Sequence, residues 1–387
     1  CQSSSPSPAR TPTAPLPAAP PTAAPTLERY FKAMVKLGAS DLHIKPGAVP
    51  HMRVKTRISP VRGEPMGGDE TARMADELMD FKQRAFFEAS GSIDVAYEIE
   101  GSDRFRINIF RQRGSVAMAV RRVSREIPDF ATLNLPAEME TICSSHQGLV
   151  LLSGATGSGK STTIAAMLEH INRTRACHIV TIEDPIEYLY ASKRALVSQR
   201  EVGIDVADFQ SALKYLMRED PDVVLIGELR DHETFQAALQ ASETGHLVFA
   251  TVHASSAAQT IGRILDLFPA DSREMMRQSL AFNLRAIVCQ KLLPSIAEGI
   301  DRIPAVEILL QNPTVRQYIS DSREAELSDV IRSLEREGMK SFTSSLLGLI
   351  EANRVDPKVA YSAAPNVDEL KMLMKGISSG RTGLIGR

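Results

Sequence analysis

Cysteine is scarce in this chain and poorly placed for metal. Cys1, Cys143, Cys177 and Cys289 stand far apart, and no C-x-x-C pair occurs among the 387 residues. That spacing excludes a four-cysteine structural zinc site, and a few scattered thiols fit a reducing, cytoplasmic compartment. Charge of one sign is lacking too. Lys and Arg number 45 against 47 Asp and Glu, a formal charge of −2, so nothing calls for nucleic acid as a partner. Long apolar runs are missing as well. Val223-Val224-Leu225-Ile226 and Leu247-Val248-Phe249-Ala250 fall far short of the ~20 residues that span a bilayer. No direct membrane insertion is expected, and membrane association must come through a partner. What is present is an apolar content of 43%, enough for substantial cores in two or three domains.

Composition and periodicity divide the chain. Residues 1–26 are nearly all Pro, Ala, Ser and Thr, which cannot bury enough surface to fold, so a disordered arm is expected. Leu27, Tyr30-Phe31, Met34 and Leu37-Gly38 predict a helix with a glycine stop. Up to residue 125 short alternating runs predict strands at 41–44, 50–54, 93–97, 105–110 and 115–121, interrupted by a helical segment over 69–89. This is a small α+β domain with an antiparallel sheet. A linker is expected at 126–134 around Ile127-Pro128-Asp129, with a helix over 133–145. Residues 135–375 then alternate buried strands (149–152, 177–182, 195–199, 223–226, 246–251) with helices (208–217, 234–242, 257–267). That order gives a mostly parallel sheet covered on both faces. From about Ser272 the pattern predicts helices, with one strand at 303–310, and a flexible tail at 376–387.

The run Gly154-Ala155-Thr156-Gly157-Ser158-Gly159-Lys160-Ser161 fits the phosphate-binding loop G-x-x-x-x-G-K-[ST]. The apolar strand before it and the helical spacing from Thr162 onward supply the strand–loop–helix context. Two glycines, a Lys and a Ser/Thr meet by chance about once in ~25,000 positions. Gly154, Thr156, Gly157, Ser158 and Gly159 let backbone N–H groups close around a polyphosphate, and the helix beginning near Thr162 aims its positive end at it. Lys160 reaches the β/γ-phosphates, and Ser161 holds a Mg²⁺ bridging them.

Hydrolysis also needs carboxylates at the C-terminal ends of neighbouring strands. Glu183-Asp184 follows one strand; Glu228 follows Val223-Val224-Leu225-Ile226-Gly227, with Gly-Glu where a Walker B strand usually has Asp-Glu. Glu228 is the expected general base and a Mg²⁺ ligand, and Glu183 or Asp184 assists water and Mg²⁺. His253 closes the next strand on the nucleotide side; His246 opens it at the other end. The first domain carries Arg104, Arg106, Arg111, Arg113, Arg121 and Arg122. These are either solvated strand residues or arginine fingers for phosphate, and spacing alone does not choose among them.

Taken together the pieces resemble the secretion ATPase superfamily of type II and type IV secretion and type IV pili, and within it the pilus retraction ATPases, the PilT/PilU branch. The landmarks are Gly38–His43, Arg104–Asn108, the phosphate loop, Thr181–Tyr188, Asp220–Asp231 and Thr244–His253. The resemblance implies a PAS-like α+β N-terminal domain followed by a RecA-like P-loop NTPase domain with a helical C-terminal extension. It implies ATP and Mg²⁺ as cofactors, Glu228 as catalytic glutamate, Glu183 in the acidic box and His253 as γ-phosphate sensor. Of the arginines it selects Arg106 and Arg121. It further implies a homohexamer, or a hetero-assembly with a paralogous retraction ATPase. Such a ring lies in the cytoplasm, peripheral at the inner-membrane pilus base, acting on a platform protein in pilus retraction and twitching motility. The missing zinc loop and the short region before the first domain favour retraction over extension. One departure stands at Thr314-Val315-Arg316-Gln317-Tyr318-Ile319-Ser320-Asp321, where retraction ATPases often show Ala-Ile-Arg-Asn-Leu-Ile-Arg-Glu. The rival expectations are an extension, secretion or DNA-uptake ATPase, and an accessory or regulatory nucleotide-binding ring.

Overall fold

The computed structural model describes residues 26–376 apart from residue 56. The expected arm at 1–26 and tail at 376–387 lie almost wholly outside the described residues. The chain divides after Arg122 into two compact units.

The first unit is built on a six-stranded sheet of β1 (Ala39–Ile44), β2 (His51–Val54), β3 (Arg57–Pro60), β4 (Ser92–Glu98), β5 (Arg104–Gln112) and β6 (Ser115–Val123), in the order β3-β2-β1-β6-β5-β4. β5 shows why the strands form. Phe105, Ile107 and Ile109 are buried on one face, while Arg104, Arg106 and Asn108 alternate onto the other, the period-two pattern of a half-covered sheet. The helix Glu28–Leu37 packs Phe31 and Met34 into that core, and the Phe31 ring stacks on Phe105 at 4.4 Å. Gly38 ends the helix at φ 63°, a left-handed conformation that costs glycine little. The helical segment expected over 69–89 is two helices, Gly68–Asp76 and Phe81–Ser90. Asp80 divides them because its side chain accepts from the Gln83 N–H in a capping box, starting a new helix. β3 was not expected; it is a four-residue edge strand with every residue exposed, so no apolar alternation marks it.

The second unit carries a seven-stranded sheet. Its strands are β7 (Gly148–Ser153), β8 (His178–Glu183), β9 (Leu196–Glu201), β10 (Val223–Ile226), β11 (Leu247–Val252), β12 (Leu284–Pro294) and β13 (Arg302–Leu310), in the order β13-β12-β7-β11-β10-β8-β9. All neighbours are parallel except β12 and β13. Leu149 and Leu151 enter one core cluster and Val150 and Leu152 another, as a doubly covered parallel strand requires.

Two expectations are corrected here. The helix read over 133–145 spans only Glu138–Cys143; Pro136 disfavours helical backbone in the residue before it and delays the start. The region from Ser272 to residue 303, expected to be helical, is helical only over Arg273–Asn283. β12 is an eleven-residue strand, and its apolar run Ala286–Cys289 lacks alternation because β7 and β13 flank it in a sheet covered on both faces. Cys143, Cys177 and Cys289 are free thiols. Among the described residues no helix is long and apolar enough to cross a membrane, and no group of three or more His, Cys, Asp or Glu could hold a metal.

Candidate nucleotide site

Strand order brings the expected residues to one edge. Gly154 follows β7, His253 follows β11, Glu228 stands two residues beyond β10, and Glu183 ends β8. Because β7, β11, β10 and β8 are parallel neighbours in register, their C-terminal ends form a single row. A cleft of about 680 Å³ lies there, lined by Thr156, Gly157, Gly159, Lys160, Ser161 and Thr162 of the loop. Glu183, Asp184, Glu187, Tyr188, Glu228 and His253 complete its polar rim.

The loop is a cradle by backbone geometry. Gly154, Gly157 and Gly159 have φ of 152°, 77° and 88°, conformations that exclude most other residues. A Cβ on Gly154 would lie 2.6 Å from the Gln290 carbonyl oxygen, and one on Gly159 would lie 2.7 Å from Gln290 Nε2. Gly159 caps the helix Lys160–Thr174, so unpaired N–H groups of the first turn face the cleft. Ser158 Oγ is buried with no hydrogen-bond partner. An orphaned hydroxyl in such a loop fits an anionic oxygen as its absent partner. Lys160 folds back, its Nζ donating to the carbonyls of Gly154 at 2.7 Å and Ala155 at 3.2 Å. Burial lowers the Lys160 pKa, partly opposed by the Glu228 and Glu187 carboxylates.

Glu228 is divided between two partners. Its Oε1 lies 3.1 Å from His253 Nε2, and its Oε2 accepts from Arg230 at 2.8 Å. Gly227 suits this placement. A Cβ there would press on the Ile182 carbonyl at 3.3 Å and Glu183 Cα at 3.4 Å, a tight approach that favours Gly at this position.

Glu183 is only 8% exposed. Its Oε1 accepts from Thr181 Oγ1 at 2.7 Å and Gln199 Nε2 at 3.2 Å. Desolvation pushes its pKa up to about 7, against the lowering effect of those hydrogen bonds. His246, at the opposite strand end, bonds to the Ala241 carbonyl at 2.9 Å and is a packed histidine. Arg106 and Arg121 belong to the first unit. Arg106 is half-buried on β5 opposite Ala96, and Arg121 pairs with Asp41 at 3.0 Å while 72% of its side chain stays exposed.

Several partners were not anticipated. Tyr188 Oη lies 3.0 Å from Thr162 Oγ1, tying the acidic box to the loop helix. Gln199 also donates to the Tyr188 carbonyl at 2.8 Å and accepts from the Tyr190 N–H at 2.9 Å. Arg230 lies two residues from Glu228, within the landmark Asp220–Asp231, and bonds to it locally. Gln199 and Gln290 lie in strands with no motif around them, and no signal in one sequence marks them.

A model of the type II/IV secretion system protein family matches residues 22–318. The chain belongs to this family. The type IV pilus retraction ATPase PilT of Pseudomonas aeruginosa is 40% identical to it over 329 residues, covering 85% of this chain and 95% of the relative. The type IV pilus ATPase PilU of the same organism is 37% identical, covering 90% and 91%. A crystal structure of the pilus retraction motor PilT with bound ADP superposes with a TM-score of 0.82 at 40% identity, covering 89% of this chain and 98% of that one. This member of the secretion family is a P-loop ATPase of the expected α/β class.

Proposed function

We propose that this chain is a motor ATPase that couples ATP hydrolysis to type IV pilus retraction. The observation that carries the reading is the row of β7, β11, β10 and β8, which sets a phosphate loop, His253, Glu228 and Glu183 along one cleft. The likeness to PilT over 85% of this chain supplies the cellular role.

In this reading the loop N–H groups and Ser158 Oγ take the phosphates. Lys160 exchanges two carbonyl oxygens for phosphate oxygens, which compensate its buried charge better. Mg²⁺, which takes only one or two protein carboxylates beside the substrate phosphates, would be held by the Ser161 hydroxyl with one of the Glu228, Asp184 or Glu183 carboxylates, since the three do not converge as a metal group. The chemistry it would supply there is neutralisation of phosphate charge. Glu228 accepts the proton of the attacking water, and Arg230 and His253 fix its two oxygens. Glu183, raised toward neutrality, supports this as a second carboxylate beside the water. Arg106 and Arg121 come onto the γ-phosphate from the first domain, closing the water out. The domains are residues 27–125 and 135–375, joined by a linker at 126–134. Six copies form a ring in the cytoplasm at the inner-membrane pilus base and act on the platform protein there.

Deleting the gene in its host tests the direction of work. Loss of retraction leaves cells heavily piliated, whereas bald cells overturn the proposal in favour of extension. A second reading, an accessory ring working with a paralogue, is favoured by the altered segment Thr314–Asp321. Turnover that appears only after mixing with a paralogous retraction ATPase decides for it.

A further inference from the structure

The residue that joins the phosphate loop to the rest of the sheet is Gln290. It sits in β12, the strand that sequence patterning missed, and is 4% exposed. The parallel register pairs Cys289 with Ser153, which places Gln290 beside the point where β7 gives way to the loop. Both ends of its side-chain amide are engaged. Nε2 donates to the Ser158 carbonyl at 2.8 Å, and Oε1 accepts from Thr163 Oγ1 at 2.8 Å. A carbonyl can only accept, so these partners fix which end of the amide faces the loop. Gly154 approaches the backbone of Gln290 and Gly159 approaches its side chain so closely that a Cβ at either would collide. One residue therefore meets the loop at its start, its last turn and the first turn of its helix.

We propose that Gln290 is a positioning residue for the nucleotide. The C=O and N–H of a trans peptide point in opposite directions. Holding the Ser158 carbonyl against β12 turns the Gly159 N–H away from β12, as an inward-facing donor of the phosphate cradle requires. The bond to Thr163 fixes the first helical turn relative to that peptide. Gln290 touches no phosphate itself; it sets the direction of the groups that do. The inference rests on reading Gly154–Ser161 as the nucleotide cradle.

The test uses the full chain with Mg²⁺, ATP for turnover and a fluorescent ADP for binding. In Gln290→Glu, the carboxylate still accepts from Thr163 but cannot donate to the Ser158 carbonyl. At pH 8 the Kd for ADP and the KM for ATP should each rise about tenfold, with kcat falling less. At pH 6 part of that loss should return, because burial at this position raises a carboxyl's pKa and a protonated carboxyl donates again. Gln290→Met, close in size and without a donor, should lose affinity at both pH values. Val288→Ala, a core truncation in the same strand, should lower the Tm while leaving the Kd within about twofold. Wild-type Kd and KM in folded Gln290→Glu and Gln290→Met, alongside a Lys160→Ala variant that binds poorly, overturn the role of Gln290. If Lys160→Ala also binds ADP like wild type, the cradle reading itself fails. Weakening by Val288→Ala as large as by Gln290→Met shows general loosening of the strand and also overturns the proposal.

Discussion

Glu183 offers a measurement whose size follows from its burial. Its carboxyl is held at a pKa of about 7 against an ordinary 4.5, chiefly by desolvation. The folded state therefore binds the Glu183 proton more tightly than the unfolded chain does. Stability from this group is fully present below about pH 4.5 and is lost as pH rises through the folded value near 7. At ~1.4 kcal/mol per pH unit, the interval corresponds to about 3 kcal/mol in full, of which about 2–3 kcal/mol falls between pH 5 and pH 8. Glu183→Gln replaces the titrating group with a neutral one that accepts from Thr181 and Gln199 as the protonated acid does. Wild type and variant should be nearly equal in stability at pH 5, and the variant more stable by about 2–3 kcal/mol at pH 8. The assay is urea unfolding of nucleotide-free protein across that range, read as the difference between the two proteins so that titrations elsewhere cancel. A difference that stays flat with pH, or a variant that becomes less stable as pH rises, refutes the reasoning. The same group should leave a rising limb with a midpoint near 7 in the pH profile of kcat/KM, absent from Glu183→Gln.

Other consequences are simpler to read. Glu228→Gln should reduce kcat by about 10²–10⁴-fold while fluorescent ATP still binds, because Lys160 and the loop are untouched; full steady-state turnover removes Glu228 as base. Gly159→Ala places a methyl 2.7 Å from Gln290 Nε2 at φ 88° and should weaken ADP binding about tenfold or more, measured by equilibrium titration. Arg106→Ala and Arg121→Ala should each slow ATP turnover about tenfold or more. Because the Arg121–Asp41 pair is largely exposed, loss of Arg121 should shift thermal unfolding of the first unit by less than ~1 kcal/mol. Unchanged turnover in both removes these arginines from the γ-phosphate.

The phosphate loop, the acidic box and the strand–helix alternation of residues 148–266 were legible because their physics is local. Glycines at fixed spacing permit one backbone path, and buried parallel strands read as apolar runs between helical periods. Gly227-Glu228 was legible as a departure, but its cause was not. Only the approach of β10 to the end of β8 shows why Gly is favoured at that position. β3 and β12 failed for opposite reasons, one with no buried face and the other with two, so neither alternates.

By itself the sequence determined the loop pattern Gly154–Ser161, the carboxylates at the ends of apolar runs, and the absence of any C-x-x-C pair or long apolar run. Each depends on residue type and short spacing, which the unfolded chain already contains. The tertiary structure alone decided who holds those residues in place. Gln199 on Glu183 and Gln290 on the loop are set by strand order and burial. Gln290 lies 132 residues from the carbonyl it grips. No local propensity specifies such a contact, because strand register creates it.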